Sequence, residues 1–450
     1  MNPPTINAFS GAATFGVELE LIVLFRGAGV APLELENGKH SPPTQQVLEE
    51  PSGLTGNDSN DHEVHMERIH YFGNEIAKKL AGAGIPTVYR EKGHPKDDKA
   101  LDPDDAHARL GDFDDFRYSS YKESSIVPEE TMIWTDPTAK GKRMAVRPQT
   151  PPGHFWLGFE FVSKAYRYSD FDIMKSDFDS VCRTLRTNYL VSVNAGKDSG
   201  SASSRCGTHI HWGLSGAEYD LITIKRILTL MWVAEEKLMG LHASWRQLAN
   251  KYAALLQTGT NMATDNAPKL PSWIDDIGKG GWVHEMEQNV PPSVQESLHR
   301  HKPKVQWLWR SETVEELAML VGEPNKSRRA SIGLMELLPA TSNFRGKVRR
   351  SQLNTIEFRH MQGSLHPALV TSWIEATAAI MQPCVDLSPD QFRDLLNDIA
   401  IYLFSENSTV HGLLNKLGVS REARDVFENY DQRRLDEEAD PEISVFLPEL

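Results

Sequence analysis

Cysteine is scarce in this chain. Cys182, Cys206 and Cys384 are the only three in 450 residues, and no Cys-x-x-Cys pair occurs. Neither a disulfide framework nor a structural zinc site is encoded, so a reducing, cytoplasmic setting is expected. Long apolar runs are missing too: nothing approaches the ~18 residues that a membrane span needs. No basic stretch precedes an apolar one near Met1, so no secretory signal is expected. Basic charge is in deficit, with 48 Lys and Arg against 62 Asp and Glu and a net charge of −14. That balance argues against a nucleic-acid partner. Part of it sits in residues 421–450, whose four arginines and ten acids read as a solvated acidic end. The main basic run, Lys326-Ser327-Arg328-Arg329, reads as a surface loop. Short nucleotide-binding and acyl-transfer signatures are also absent. Gly278-Lys279-Gly280-Gly281 lacks the spacing and the Ser/Thr of a phosphate-binding loop. No Gly-x-Gly-x-x-Gly opens a helix, and no Gly-x-Ser-x-Gly elbow is found.

What the chain does contain is a recurring alternation. Four segments carry it: Phe15-Gly16-Val17-Glu18-Leu19-Glu20-Leu21, Gly158-Phe159-Glu160-Phe161-Val162-Ser163, Cys206-Gly207-Thr208-His209-Ile210-His211-Trp212 and Thr355-Ile356-Glu357-Phe358-Arg359. Residues two apart on a strand share a face. Glu18 and Glu20, His209 and His211, and Glu357 and Arg359 are therefore same-face pairs, while Val17, Leu19, Phe159, Phe161, Ile356 and Phe358 point into a core. Each segment alone reads as a half-solvated strand. Taken together on one sheet, they supply four carboxylates, two imidazoles and a guanidinium to its second face.

Helical spacing marks residues 64–80, 170–185, 221–239, 314–321, 368–381 and 389–404. Ser215 and Glu218 fit a capping box ahead of the third of these. Pro367 suits a first helical position. A further helix is expected over 243–256. Strands are expected over 14–24, 87–90, 117–126, 189–194 and 349–359. Residues 26–61 and 259–304, rich in Gly, Pro and Asn, read as loop insertions, the second a candidate lid. No regular βαβ rhythm is present, so the expected class is α+β, an antiparallel sheet with helices on one face. The expected division is a catalytic domain over 1–385 and a helical C-terminal extension over 386–450.

Clustered carboxylates raise one another's pKa, and a divalent cation removes that penalty. Oxygen donors favour Mg²⁺ or Mn²⁺ over zinc. Magnesium held by carboxylates commonly also meets substrate phosphate, for which Arg359 beside Glu357 is the natural partner. Cys206 and Thr208 are expected on the face opposite His209, which argues against a Cys206–His209 nucleophile pair.

The order Gly-x-Glu-x-Glu, Gly-x-Glu-x-x-Ser, Cys-Gly-x-His-x-His and Thr-x-Glu-Phe-Arg-x-x-Gln-Gly resembles the amidoligases, a family with many fungal members. The likeness runs from about Phe15 to Met381, and its last two motifs are the specific ones. The family's second motif often continues Ser-Pro; here Lys164 follows Ser163, which leaves the role of Ser163 open. The resemblance implies a curved antiparallel funnel of glutamine synthetase-like type, with helices on the outer face and ATP entering one end. It implies an ATP-dependent ligase that joins a small-molecule or peptide carboxylate to an amine through an acyl phosphate. Glu18, Glu20, Glu160, His209 and Glu357 would share two or more Mg²⁺ or Mn²⁺ ions. His211 would lie by the ATP phosphates, Arg359 would hold the transferred phosphoryl group, and Gln362, Gly363 and Ser364 would line the pocket edge. A metal-dependent amide hydrolase and a non-catalytic ligase-like binding protein remain as alternatives.

Overall fold

The alternation that begins at Ala13 becomes the longest strand, β1 (Ala13–Arg26), in the computed structural model of the protein. The structure describes residues 8–31, 47–51, 62–90, 123–128, 153–192, 206–215, 217–243, 253, 255–263, 281–297, 302–322, 330–338 and 354–439. Beyond β1 the sheet contains β2 (Leu48–Glu49), β3 (Thr87–Tyr89), β4 (Ser124–Pro128), β5 (His154–Val162), β6 (Tyr166–Arg167) and β7 (Val191–Ser192). It is completed by β8 (Gly207–Leu214), β9 (Ile332–Gly333) and β10 (Thr355–Gln362). Its order is β3-β4-β5-β1-β8-β10-β9, with β2, β6 and β7 also paired to β1. Among the described strands only β1–β2 and β3–β4 run parallel, so the sheet is mostly antiparallel, and its described strands do not close on themselves.

The odd positions of β1 build the core. Phe15, Val17, Leu19, Leu21, Val23 and Phe25 are buried with Phe159, Phe161, Ile210, Trp212, Ile356 and Phe358. Burying each such side chain fully contributes roughly 1.5–3 kcal/mol. The helix His62–Gly82 adds Ile69, Phe72 and Ile76, with Phe72 stacked on Phe25 at 3.8 Å between ring centroids. The helices Phe171–Asn188, Leu221–Leu238 and Pro367–Asp386 extend the same cluster. Trp212 Nε1 donates to Thr377 Oγ1 at 3.0 Å, fastening β8 to the last of these.

Several expectations change. Ser215 does not cap a helix: its N–H goes to Ala12 O at 2.7 Å and Ala217 bridges Leu214, so the chain there still follows the sheet. The cap is Asp220, which accepts Thr223 N–H at 2.6 Å. Among its described residues, 259–304 contains the helices Trp282–Asn289 and Pro292–Ser297 and the start of Lys302–Arg310. Met286, Val290 and Val294 are buried in the main core, so this portion is not an exposed lid. Val290 is extended backbone between the helices Trp282–Asn289 and Pro292–Ser297, so no single helical period joins these residues in the sequence. The described residues after Asp386 are mainly helical, and Phe392, Leu396, Leu413 and Phe427 belong to the same core cluster. Within 26–61 the chain supplies strand β2 and the start of the helix His62–Gly82 follows. Most of the expected strand 117–126, most of the helix 243–256, the first part of the strand 349–359 and the basic run 326–329 lie outside the described residues. No helix among the described residues is long and apolar enough to cross a membrane.

Candidate functional site

Strand register brings the polar residues of the four segments together. Glu20 stands directly opposite Glu160 across β1 and β5. Glu18 stands opposite His209 across β1 and β8, and His211 opposite Glu357 across β8 and β10. Opposed side chains in adjacent strands approach closely. His209 becomes the hub. Its Nδ1 lies 3.3 Å from Glu18 Oε2 and 3.3 Å from Glu357 Oε1, and its Nε2 lies 4.0 Å from Glu20 Oε1. His211 Nε2 lies 3.2 Å from Glu18 Oε1 and 3.7 Å from Glu357 Oε1. Arg359 Nη1 donates to Glu357 Oε1.

The electrostatics are those of a compact mixed-charge cluster. Burial acts to raise the Glu18 carboxyl, but the charge of His211 and hydrogen bonds from His209 and His211 hold it well below its ordinary value. Burial also acts to raise Glu357, and Arg359, His211 and His209 more than reverse it. Burial alone would discharge His211; Glu18 and then Glu357 push it the other way, to about 9. Glu20 Oε2 accepts the Gly207 N–H at 2.6 Å, which fixes that carboxylate at the start of β8. Gly333 faces Glu357 across β9 and β10, and a Cβ there would meet Glu357 Oε2 at 2.7 Å. A side chain at this position would force the Glu357 carboxylate to move from where it stands.

Two groups of donors have the spacing of a metal site. Ligand atoms of Glu18, His209 and Glu357 lie within 4.8 Å of one another, and so do those of Glu20, Glu160 and His209. Carboxylate oxygens with one imidazole nitrogen suit Mg²⁺ or Mn²⁺. Four carboxylates against Arg359 and a protonated His211 also leave negative charge for a cation to balance.

Other side chains hold this cluster in place. Thr355 Oγ1 lies 3.2 Å from His211 Nδ1 and orients the ring. Ser163 Oγ accepts the Val17 N–H at 2.9 Å and donates to Lys164 O at 2.8 Å, while its own N–H bonds Val17 O. Ser163 therefore pins the end of β5 to β1. Arg359 sits at a one-residue bulge: between Phe358 and Met361, β10 spends one residue more than β8. Behind the bulge, Ser331 O accepts the Arg359 N–H at 2.8 Å, and the Ser331 hydroxyl donates to Glu235 Oε1. Glu235 also binds His360 Nε2 at 3.0 Å and the Leu256 N–H at 2.6 Å, and is 1% exposed. No local sequence signal points to Glu235 or His360; a buried acid in a helix finds its partners only through the fold.

Gln362, Gly363 and Ser364 do not stand with the cluster. Gln362 is buried, donates to Tyr430 OH at 2.9 Å and accepts the Ala243 N–H at 3.3 Å. Gly363 N–H bonds Cys206 O at 3.0 Å, and Ser364 Oγ accepts the His366 N–H at 3.0 Å. All three serve the backbone where β10 enters the following helix. Cys206 also differs from expectation. It is buried with Leu190 and with Ile22, Leu24 and Trp156, whose strand positions continue the Glu18–Glu20 face. It precedes β8 by one residue, where strand alternation no longer applies.

No protein-family model, curated protein or solved structure matches this chain.

Proposed function

We propose that this protein is an ATP-dependent carboxylate–amine ligase with a curved sheet of glutamine synthetase-like type. The observation that carries the reading is the pair of three-residue donor groups joined at His209, with the Arg359 guanidinium bound to one of their members. In this reading Glu18 and Glu357 would hold one Mg²⁺ or Mn²⁺ ion and Glu20 and Glu160 a second, with His209 giving its single acceptor nitrogen to one of the two. Bound there, the ions neutralise phosphate oxygens and fix their positions.

The chain's own residues do the rest. Arg359 offers N–H donors to a transferring phosphoryl group, held at the correct height by the bulge that Ser331 and Glu235 brace. His211, kept protonated by Glu18 and Glu357, places a second positive group beside it. The substrate carboxylate attacks the γ-phosphorus of ATP, and ADP departs. An amine nitrogen attacks the resulting acyl carbon, loses its proton and displaces phosphate. The buried Cys206, enclosed by apolar side chains, offers no covalent alternative, which is consistent with activation by ATP.

The test is phosphate release by the full-length chain with ATP and Mg²⁺ or Mn²⁺, across paired amino acids and polyamines. Release that needs both an acid and an amine, and is lost in Glu357→Ala and His209→Ala, is the expected result. Amide hydrolysis without nucleotide, or failure to bind Mg-ATP, overturns the reading.

A further inference from the structure

The bulge that places Arg359 has two flanks, and different parts of the fold hold them. On the near flank Phe358 pairs with Ile210 and with Ile332, and Ser331 O accepts the Arg359 N–H. On the far flank Met361 pairs with Thr208 and Gln362 with Gly207, and the Gly363 N–H bonds Cys206 O at 3.0 Å. Backbone pairing alone does not fix where an extra residue sits. It can pass along a strand one pair at a time, and each step turns a side chain to the other face.

Gln362 is the side chain that tolerates only one position of the bulge. It is 1% exposed, and both ends of its amide are used. Nε2 donates to Tyr430 OH at 2.9 Å, and Oε1 accepts the Ala243 N–H at 3.3 Å. Moving the bulge past Gln362 would break both bonds and leave buried polar atoms unpaired. Both partners are anchored. Ala243 follows His242, whose ring meets Trp373 edge-on at 4.5 Å, and Trp373 also packs on the bulge residue His360 at 5.8 Å. Tyr430 lies in the helix Arg421–Ala439, where Ala423 and Phe427 are in the core and the Tyr430 ring packs against it. The Ser420 N–H, just before that helix, donates to Glu375 Oε1 at 2.6 Å. Tyr430 thus ties a helix 68 residues further along the chain to the far flank of the bulge.

We infer that Tyr430 is a positioning residue for Arg359: through Gln362 it fixes the bulge, and with it the guanidinium against the Glu357 carboxylate. The effect on nucleotide rests on the ligase reading; the hold on the bulge does not. Tyr430→Phe supplies the test, because it removes the hydroxyl and keeps the packed ring. Two measurements on the full chain are read together. Hydrogen exchange without ligand should speed up by about two- to tenfold in a peptide covering 355–363 and stay level in one covering 13–26. Mg-ATP affinity should fall by about two- to tenfold, with Mn²⁺ affinity in the absence of nucleotide unchanged. In an Arg359→Lys background Tyr430→Phe should cost Mg-ATP nothing further, whereas a merely structural loss would add to it. Unchanged exchange over 355–363 overturns the inference, and so does an undiminished loss in the Arg359→Lys background. Faster exchange in a protein that does not bind Mg-ATP keeps the hold on the bulge and removes the ligase reading. ATP-dependent ligation that ignores Tyr430→Phe does the reverse.

Discussion

Glu18 and His209 face each other directly across β1 and β8, with 3.3 Å between Oε2 and Nδ1. The same Nδ1 is equally far from Glu357, and the opposite ring nitrogen points toward Glu20. One imidazole thus belongs to both donor groups, and the site is a single connected unit.

A neutral imidazole has one acceptor nitrogen, so His209 can serve only one of the two groups as a ligand. His209→Ala should weaken one Mn²⁺ position by about tenfold or more and leave the other in place, and Glu160→Ala should likewise cost one position. Titration calorimetry with Mn²⁺ counts the positions that remain. Loss of both positions in His209→Ala would contradict this account.

Arg359 should matter for nucleotide rather than for metal. Arg359→Lys keeps a positive charge near Glu357 but loses the planar fork. Mg-ATP affinity should fall by about tenfold, with Mn²⁺ affinity in the absence of nucleotide little changed. An equal drop in both would mean that Arg359 serves mainly to hold Glu357.

The metal-free protein should show two pH limbs. His211 is raised from 6.5 to about 9, so its stabilisation is complete below about 6.5 and is lost as pH rises through about 9. Glu18 and Glu357 are lowered from 4.5, so their stabilisation is present above that value and is lost as pH falls through their lowered values. Stability from these groups is therefore greatest between about 4.5 and 6.5. Thermal unfolding in chelator should fall on the alkaline side by a few kcal/mol at most, and His211→Gln should flatten that limb. An unfolding midpoint that stays level from neutral pH to beyond about 9 in the wild type contradicts this account.

Glu235→Ala should be costly although it lies off the site. It strands the Ser331 hydroxyl, His360 and the Leu256 N–H in a buried setting. The expected loss is about 3–5 kcal/mol in urea unfolding, with Glu235→Gln losing less. Because Ser331 also holds the Arg359 N–H, Glu235→Gln should weaken Mg-ATP more than Mn²⁺ alone. A loss below about 1 kcal/mol in Glu235→Ala would mean that solvent already reaches this network.

Much of the strand content was legible because one buried face imposes a period of two. Val17, Leu19 and Phe358 had to face the core, so Glu18, Glu20, Glu357 and Arg359 had to face away. The helices Val314–Val321 and Pro389–Leu403 were equally clear, the second opening on the Ser388–Gln391 capping box. Met286, Val290 and Val294 were missed because they sit on two short helices and the extended link between them, too short for a period to stand out in a Gly- and Pro-rich stretch. Ser215 was misread because a local capping pattern cannot register a bridge to Leu214.

The sequence by itself determined which side chains leave the core, since alternation and apolar content decide burial strand by strand. Only the tertiary structure decided which of them meet. The pairing of Glu20 with Glu160, and of Glu18 with His209, depends on register between strands far apart in the chain. The bulge that sets Arg359 is held by Glu235, 125 residues from its partner His360, and no local propensity encodes that contact. Register and bulge follow from how whole faces pack, so the cluster's chemistry was readable in the residues and its geometry was not.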